Sequence, residues 1–252
     1  AIHYNEHFDQ IVISARHGDE IMIIDHSTTT EEAASHSGGN SGKGGDILYR
    51  WGNPESYGRG NSSWHHLNGQ HGVNWIPEGS PGAGNLILYN NFYSNTRASV
   101  IELELPVDEY GNYSIHPSDP FAPANPTWEV NGTWQSDMQG GAFRQPNGNT
   151  LITDCDSSRL LEIDSNGTIV WSYYPPDTDF IARAQTYTLD YLSPSISGDL
   201  NGDEVVNILD VVSTVNIILG LNDFNQNADI NNDSIVNILD IVLIINIILG
   251  LG

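Results

Sequence analysis

A twelve-residue segment near the C-terminus occurs twice, thirty residues apart, and no other feature limits the fold as strongly. Asp199-Leu-Asn201-Gly-Asp203-Glu-Val205-Val-Asn207-Ile-Leu-Asp210 is repeated as Asp229-Ile-Asn231-Asn-Asp233-Ser-Ile235-Val-Asn237-Ile-Leu-Asp240. Oxygen-bearing side chains stand at positions 1, 3, 5, 9 and 12 of both copies. Calcium takes six to eight hard oxygen ligands in a flexible shell, and a twelve-residue loop supplies them at this spacing, with a backbone carbonyl at position 7. The candidate ligands are therefore Asp199, Asn201, Asp203, Val205, Asn207 and Asp210, then Asp229, Asn231, Asp233, Ile235, Asn237 and Asp240. Position 8 is Val in both copies, which predicts a short strand contact between the loops.

Apolar segments follow each loop, 211–219 and 241–249, and each stops at a glycine, Gly220 or Gly250, as a helix C-terminus does. The two predicted helices are apolar nearly all round. One packing on the other leaves apolar surface for either the larger domain or a partner.

Residues 199–252, two loops with their helices, resemble the dockerin module, which places Asp at position 12 where the EF-hand has Glu. The resemblance implies two bound calcium ions, a cohesin-like partner and a secreted or cell-surface setting. Two departures stand out. Position 6, normally Gly, is Glu204 or Ser234, and a non-glycine residue in the left-handed region costs roughly 1–2 kcal/mol. Positions 10 and 11, usually small hydroxyl residues in dockerins that pair with type I cohesins, are Ile208-Leu209 and Ile238-Leu239.

Charge excludes some functions. The 252 residues carry 32 Asp and Glu against 8 Lys and Arg, the reverse of a nucleic-acid binder. From Asp199 onward there are eight acids and no Lys or Arg, and six of the eight acids stand at candidate ligand positions. Cys155 is the only cysteine, so no intrachain disulfide forms. The longest apolar run, 241–249, is broken by Asn246 and falls short of the roughly 20 residues of a membrane span. The chain opens on Ala1, as a mature or partial chain does.

Residues 1–175 read as strands and turns. Runs 10–14, 20–25 and 47–51 form one group; 73–76, 86–89, 100–105 and 127–130 a second; 141–144, 150–153, 160–163 and 168–173 a third. The groups share phrases: Gly84-Asn85-Leu-Ile-Leu with Gly148-Asn149-Thr-Leu-Ile, and Ile47-Leu-Tyr-Arg-Trp51 with Thr168-Ile-Val-Trp171. Repeated four-strand units predict propeller blades, against the alternative of a β-sandwich. The fold class is thus mainly β, about three blades of a propeller of six, with the first strand of the first unit absent, followed by the small helical module. The expected boundaries are 1–190, a linker at 191–198 and 199–252. Three blades cannot close, which predicts either further blades before Ala1 or other copies completing the ring.

Gly44-Gly-Asp-Ile-Leu-Tyr-Arg-Trp-Gly-Asn53, Gly69-Gln-His71 and Pro146-Asn-Gly-Asn-Thr-Leu-Ile152, with the stretch 20–46, resemble the arylsulfotransferase family over residues 1–190. Those six-bladed propellers pass sulfuryl groups between phenolic compounds through a histidine, without a nucleotide cofactor. The resemblance implies His71, Arg50 and Arg183 as catalytic candidates and Gln70 and Trp75 as binding candidates for an aryl sulfate or phenol. Two family features differ: Ala98-Ser99 stands where a Ser-Arg pair is usual, and no histidine follows His116. A propeller kept for binding, and a component of a polysaccharide-degrading assembly, are the alternatives. The remaining motifs read as structure: His65 and His66 as loop histidines, Cys155 as an inert strand cysteine, and Ser41-Gly-Lys43-Gly-Gly45 as a Gly/Ser insertion.

Overall fold

The computed structural model describes residues 1–94, 97–176, 180–187 and 196–251. The chain divides into two compact units, Ala1–Thr186 and Tyr187–Gly252. Most of the expected linker, 191–195, lies outside the described residues, as do 188–190.

Among the described residues the first unit holds three four-stranded sheets in which consecutive strands pair antiparallel. Sheet one is β1 (Ile2–Asn5), β2 (Gln10–Ala15), β3 (Glu20–Asp25) and β4 (Tyr49–Trp51). Sheet two is β5 (His71–Trp75), β6 (Leu86–Ser94), β7 (Arg97–Leu103) and β8 (Trp128–Asn131). Sheet three is β9 (Gly141–Arg144), β10 (Thr150–Asp154), β11 (Arg159–Ile163) and β12 (Ile169–Tyr173). Each is an up-and-down meander, not one layer of a two-sheet sandwich, and the three do not close on themselves.

The first sheet is complete, which corrects the expectation that its opening strand is absent. β1 pairs with β2 from Ile2 opposite Ile13 to Asn5 opposite Gln10. Four residues with one aliphatic side chain are too few for alternation to reveal a strand.

Cross-strand partners share a face, and the register therefore fixes what each sheet buries. Val12, Ile21, Ile23, Tyr49 and Trp51 of sheet one form a core with Trp75, Leu86, Leu88, Ile101 and Leu103 of sheet two. The opposite face of sheet two places Ile87, Tyr89 and Val100 against Ala142, Ile152 and Leu161 of sheet three. Each Val, Leu and Ile among these contributes roughly 1.5–3 kcal/mol by leaving water. Both faces of sheet two are covered, and Leu86-Ile-Leu-Tyr89 is accordingly an unbroken buried run. The matched phrases ending in Trp51 and Trp171 occupy fourth strands in sheets one and three, yet Trp51 is 3% exposed beneath sheet two and Trp171 is 45% exposed.

A buried ion pair, Glu102 to Arg144 at 2.6 Å, ties β7 to β9, and the Arg144 guanidinium also lies over the Trp128 ring. Between β3 and β4, the short helix α1 (Thr30–Ala33) begins at a Thr29–Glu32 capping box. The Gly/Ser insertion after it is anchored by the Ser41 N–H donating to the Asp25 carboxylate at 2.8 Å.

In the second unit, α2 (Ile208–Ile218) and α3 (Ile238–Ile248) begin three residues earlier than their apolar runs suggest. Asn207 and Asn237 cap them, the side-chain oxygen accepting from the Leu209 or Leu239 N–H at 2.8 Å. Val211, Ile241 and Ile244 form the core, with Leu200, Val206, Val215 and Ile230 packed around it. Among the described residues no β-bridge links Val206 to Val236, which differs from the expected strand contact, and the Val206 side chain packs on this core.

Candidate functional site

The twin loops are built alike. Asp199 Oδ1 accepts from the Gly202 N–H and Oδ2 from the Glu204 N–H, both at 2.8 Å. Asp229 does the same with the Asp233 and Ser234 N–H groups at 3.1 and 2.8 Å. At the far end, Asp210 Oδ1 accepts from the Leu200 N–H and Oδ2 from the Asn207 N–H, both at 2.8 Å. Asp240 repeats this with Ile230 and Asn237 at 2.9 Å. Glu204 and Ser234 both have φ +66, the left-handed value that position 6 demands.

Asp199, Asp210, Asp229 and Asp240 are buried, and the sequence has no Lys, Arg or His beyond Arg183. Burying carboxylates without a cation is costly, and this donor set of carboxylate, amide and carbonyl oxygens suits a hard divalent ion. Among the described residues no three His, Cys, Asp or Glu side chains stand together as a metal cluster. All three carboxylates of each loop accept from backbone N–H groups, and Asp203 or Asp233 accepts in addition from the Asn201 or Asn231 amide at 3.0 or 2.9 Å. Beside the loops, positions 10 and 11 point outward: Ile208 and Ile238 are 64% and 65% exposed, Leu209 and Leu239 58% and 57%.

Residues 197–249 match the dockerin type I domain. The dockerin thus presents two nearly equivalent loop–helix faces, each headed by an exposed Ile-Leu pair.

The candidates in the first unit are dispersed. His71, at the start of β5, bonds through Nδ1 to Asn91 Oδ1 at 2.8 Å. Asn91 donates its own amide to the Ser136 and Gln139 carbonyls, both at 2.7 Å, so Oδ1 is its acceptor and His71 Nδ1 is the donor. The Gln139 N–H then approaches Nε2 at 3.3 Å, the long bond of a lone pair only loosely engaged. Burial lowers the His71 pKa; the Asn91 bond opposes this, and the Arg16 guanidinium adds to the lowering. The ring is therefore neutral near pH 7, with its lone pair on Nε2.

Gly72 (φ +65) bulges β5 between His71 and Asn74. As a result His71 lies on the side of Tyr89, whereas Trp75 is buried in the opposite core beside His3, whose Nδ1 accepts from the Trp75 N–H at 3.4 Å. Gln70 is fully buried and braces sheet one, its amide donating to the Glu20 carbonyl at 2.9 Å. Arg50 is held by both Glu20 oxygens at 2.7 and 2.9 Å. Arg183 lies over the Phe143 ring at 4.7 Å. Burial, and then the charge of Arg183, hold the pKa of His3 below its ordinary value. His3, Asn91 and Arg16 were not visible as site residues from sequence; consecutive asparagines within a buried strand, Asn90-Asn91, were the one available signal.

No curated protein matches the chain. Among solved structures, a protein of unknown function from Bacteroides caccae is 11% identical, with 69% of this chain and 44% of that one aligned and a TM-score of 0.37. A streptogramin B lyase is 10% identical over 69% of this chain and 54% of that one, TM-score 0.33. Virginiamycin B lyase from Staphylococcus aureus is 10% identical over 68% and 53%, TM-score 0.28. The chain spans about half the length of these proteins.

Proposed function

We propose that this chain is a secreted or cell-surface protein whose dockerin, with one calcium ion in each loop, tethers a β-propeller segment to a cohesin-bearing partner. The repetition of one carboxylate scheme in two loops, each beside an exposed Ile-Leu pair, carries this reading. Asp199, Asn201, Asp203, the Val205 carbonyl, Asn207 and Asp210 would hold one ion, and their counterparts from Asp229 to Asp240 the other. The ion's charge would offset the buried carboxylates. Apolar residues at positions 10 and 11 favour a cohesin whose contact surface is apolar rather than hydrogen-bonding. Among the described residues no helix is long and apolar enough to cross a membrane.

For the β unit we propose an arylsulfotransferase-like role on phenolic compounds, with His71 as the proton or sulfuryl acceptor. A neutral imidazole with its lone pair on Nε2 supports that assignment. Arg183, the candidate for the sulfonate, has no carboxylate partner among the described residues, unlike Arg50, Arg144 and Arg159. A second reading, binding without turnover, is favoured by the separation of Gln70, Trp75 and Arg50 from the His71 ring.

Two assays test these proposals. The whole chain should bind a cohesin panel with calcium and release it with chelator; binding that ignores chelator refutes the tether. Sulfate transfer from a chromogenic aryl sulfate to phenol should be lost in His71→Ala. An inactive intact protein in which His71→Ala leaves aryl sulfate binding unchanged sinks the catalytic role.

A further inference from the structure

At the rim where β2 turns into β3, a cleft of about 450 Å³ opens between sheets one and two. That volume lies within the range of roughly 300–1,000 Å³ typical of small-molecule sites. One wall carries Asp19, His65 and Asn68, and the other Phe92, Tyr93 and Glu129.

Part of this lining is fixed in advance. Asp19 adopts φ +52, a conformation few non-glycine residues take, and its Oδ1 accepts from the Gly69 N–H at 2.7 Å. Its Oδ2 lies 3.6 Å from His65 Nε2, an orientation without a direct hydrogen bond. His66, below them, is locked by stacking on Trp51 and by donating to the Ala124 carbonyl at 2.9 Å.

The rest of the lining is free. Among the described residues the Asn68 carboxamide, the Glu129 carboxylate and the Tyr93 hydroxyl make no hydrogen bond within the protein. The cleft therefore offers donors (His65, Asn68, Tyr93) and acceptors (Asp19, Asn68, Glu129) facing a pair of aromatic rings, with no Lys or Arg in its lining. An anion would meet two carboxylates and no cation. A purely apolar ligand would leave the polar groups unpaired. A ring with an apolar face and hydroxyls around its edge satisfies both halves of the lining.

We propose that this cleft is a binding site for a neutral oligosaccharide, one sugar ring lying against Tyr93 and its hydroxyls reaching Asp19, Asn68 and Glu129. Every residue of the site belongs to the first unit, and none of them takes part in the chemistry proposed at His71.

The test is calorimetric titration of the whole chain with neutral disaccharides of gluco, galacto, manno and xylo configuration. At least one should bind at millimolar or lower concentration. Tyr93→Ala should weaken it about tenfold, the effect of losing a stacked ring. Glu129→Gln, an exposed position, should also weaken it, and Tyr110→Ala, an exposed tyrosine outside the cleft, should leave it unchanged. Absence of binding across the panel overturns the proposal. So does binding that survives both cleft variants, or tighter binding of an alkylammonium ion that displaces the sugar.

Discussion

Replacing Glu204 and Ser234 by glycine should stabilise the dockerin. Both residues sit at φ +66, where an L side chain costs roughly 1–2 kcal/mol and glycine nothing. Glycine returns roughly 0.5–1 kcal/mol of that through the greater freedom of the unfolded chain. The bonds that matter are kept, since the Glu204 and Ser234 contacts to Asp199 and Asp229 come from backbone N–H groups. A net gain of about 0.5–1 kcal/mol per loop follows, and at about 4–8 °C per kcal/mol for a domain this small the double variant should melt several degrees higher. Gly202→Ala supplies the converse: its φ is +74 and an added Cβ meets nothing within 4 Å, so its penalty is purely one of backbone conformation. The far-UV helical signal isolates this unit, because among the described residues the other unit has one α-helix, of only four residues. A double variant that melts lower than the parent, or a Gly202→Ala that melts higher, would refute the reasoning.

Other perturbations should separate equally well. Glu102→Ala strands the Arg144 guanidinium in the seam between sheets two and three and should cost about 3–5 kcal/mol in denaturant unfolding. Trp51→Ala should cost about 3–5 kcal/mol, whereas Trp171→Ala, at the matching position on an open face, should cost far less; equal losses would contradict the packing described. Cys155 is fully buried, and desolvation, with Asp156 and Asp154 adding to it, lifts its thiol to a pKa of about 11, so alkylation should occur only on unfolding. Burial holds the pKa of His71 below the ordinary value of about 6.5, so the unfolded chain takes up the proton first as pH falls. Its contribution to stability is therefore complete above about pH 6.5 and diminishes on acidification until the folded-state pKa is passed, a slope that His71→Gln should remove.

Much of the strand layout was legible in the sequence because short apolar runs are bounded by turn residues, as in Glu20–Asp25 after Gly18-Asp19 and Thr150–Thr153 after Gly148-Asn149. The match of Trp51 with Trp171 reported equivalent strands but could not report burial, which depends on whether another sheet lies above. The apolar runs mark the helix starts three residues late because Asn207 and Asn237 serve twice, as loop oxygens and, with Asp three residues on, as caps. The phrase around Gln70-His71 does not encode the bulge at Gly72 that sends His71 and Trp75 to opposite faces. Nor does spacing disclose that Asn91, twenty residues on, sets the His71 tautomer, a relation created by the register of β5 on β6.

The carboxylate of Asp210 joins two structures that could have been separate. One oxygen closes the start of its loop and the other caps the first turn of α2; Asp240 duplicates this for α3. Whatever perturbs that group therefore reaches the loop and the helix in the same event. If calcium fills the proposed sites, loop order and helix-start order in each repeat would rise and fall together with the ion, and attachment to the proposed partner with them.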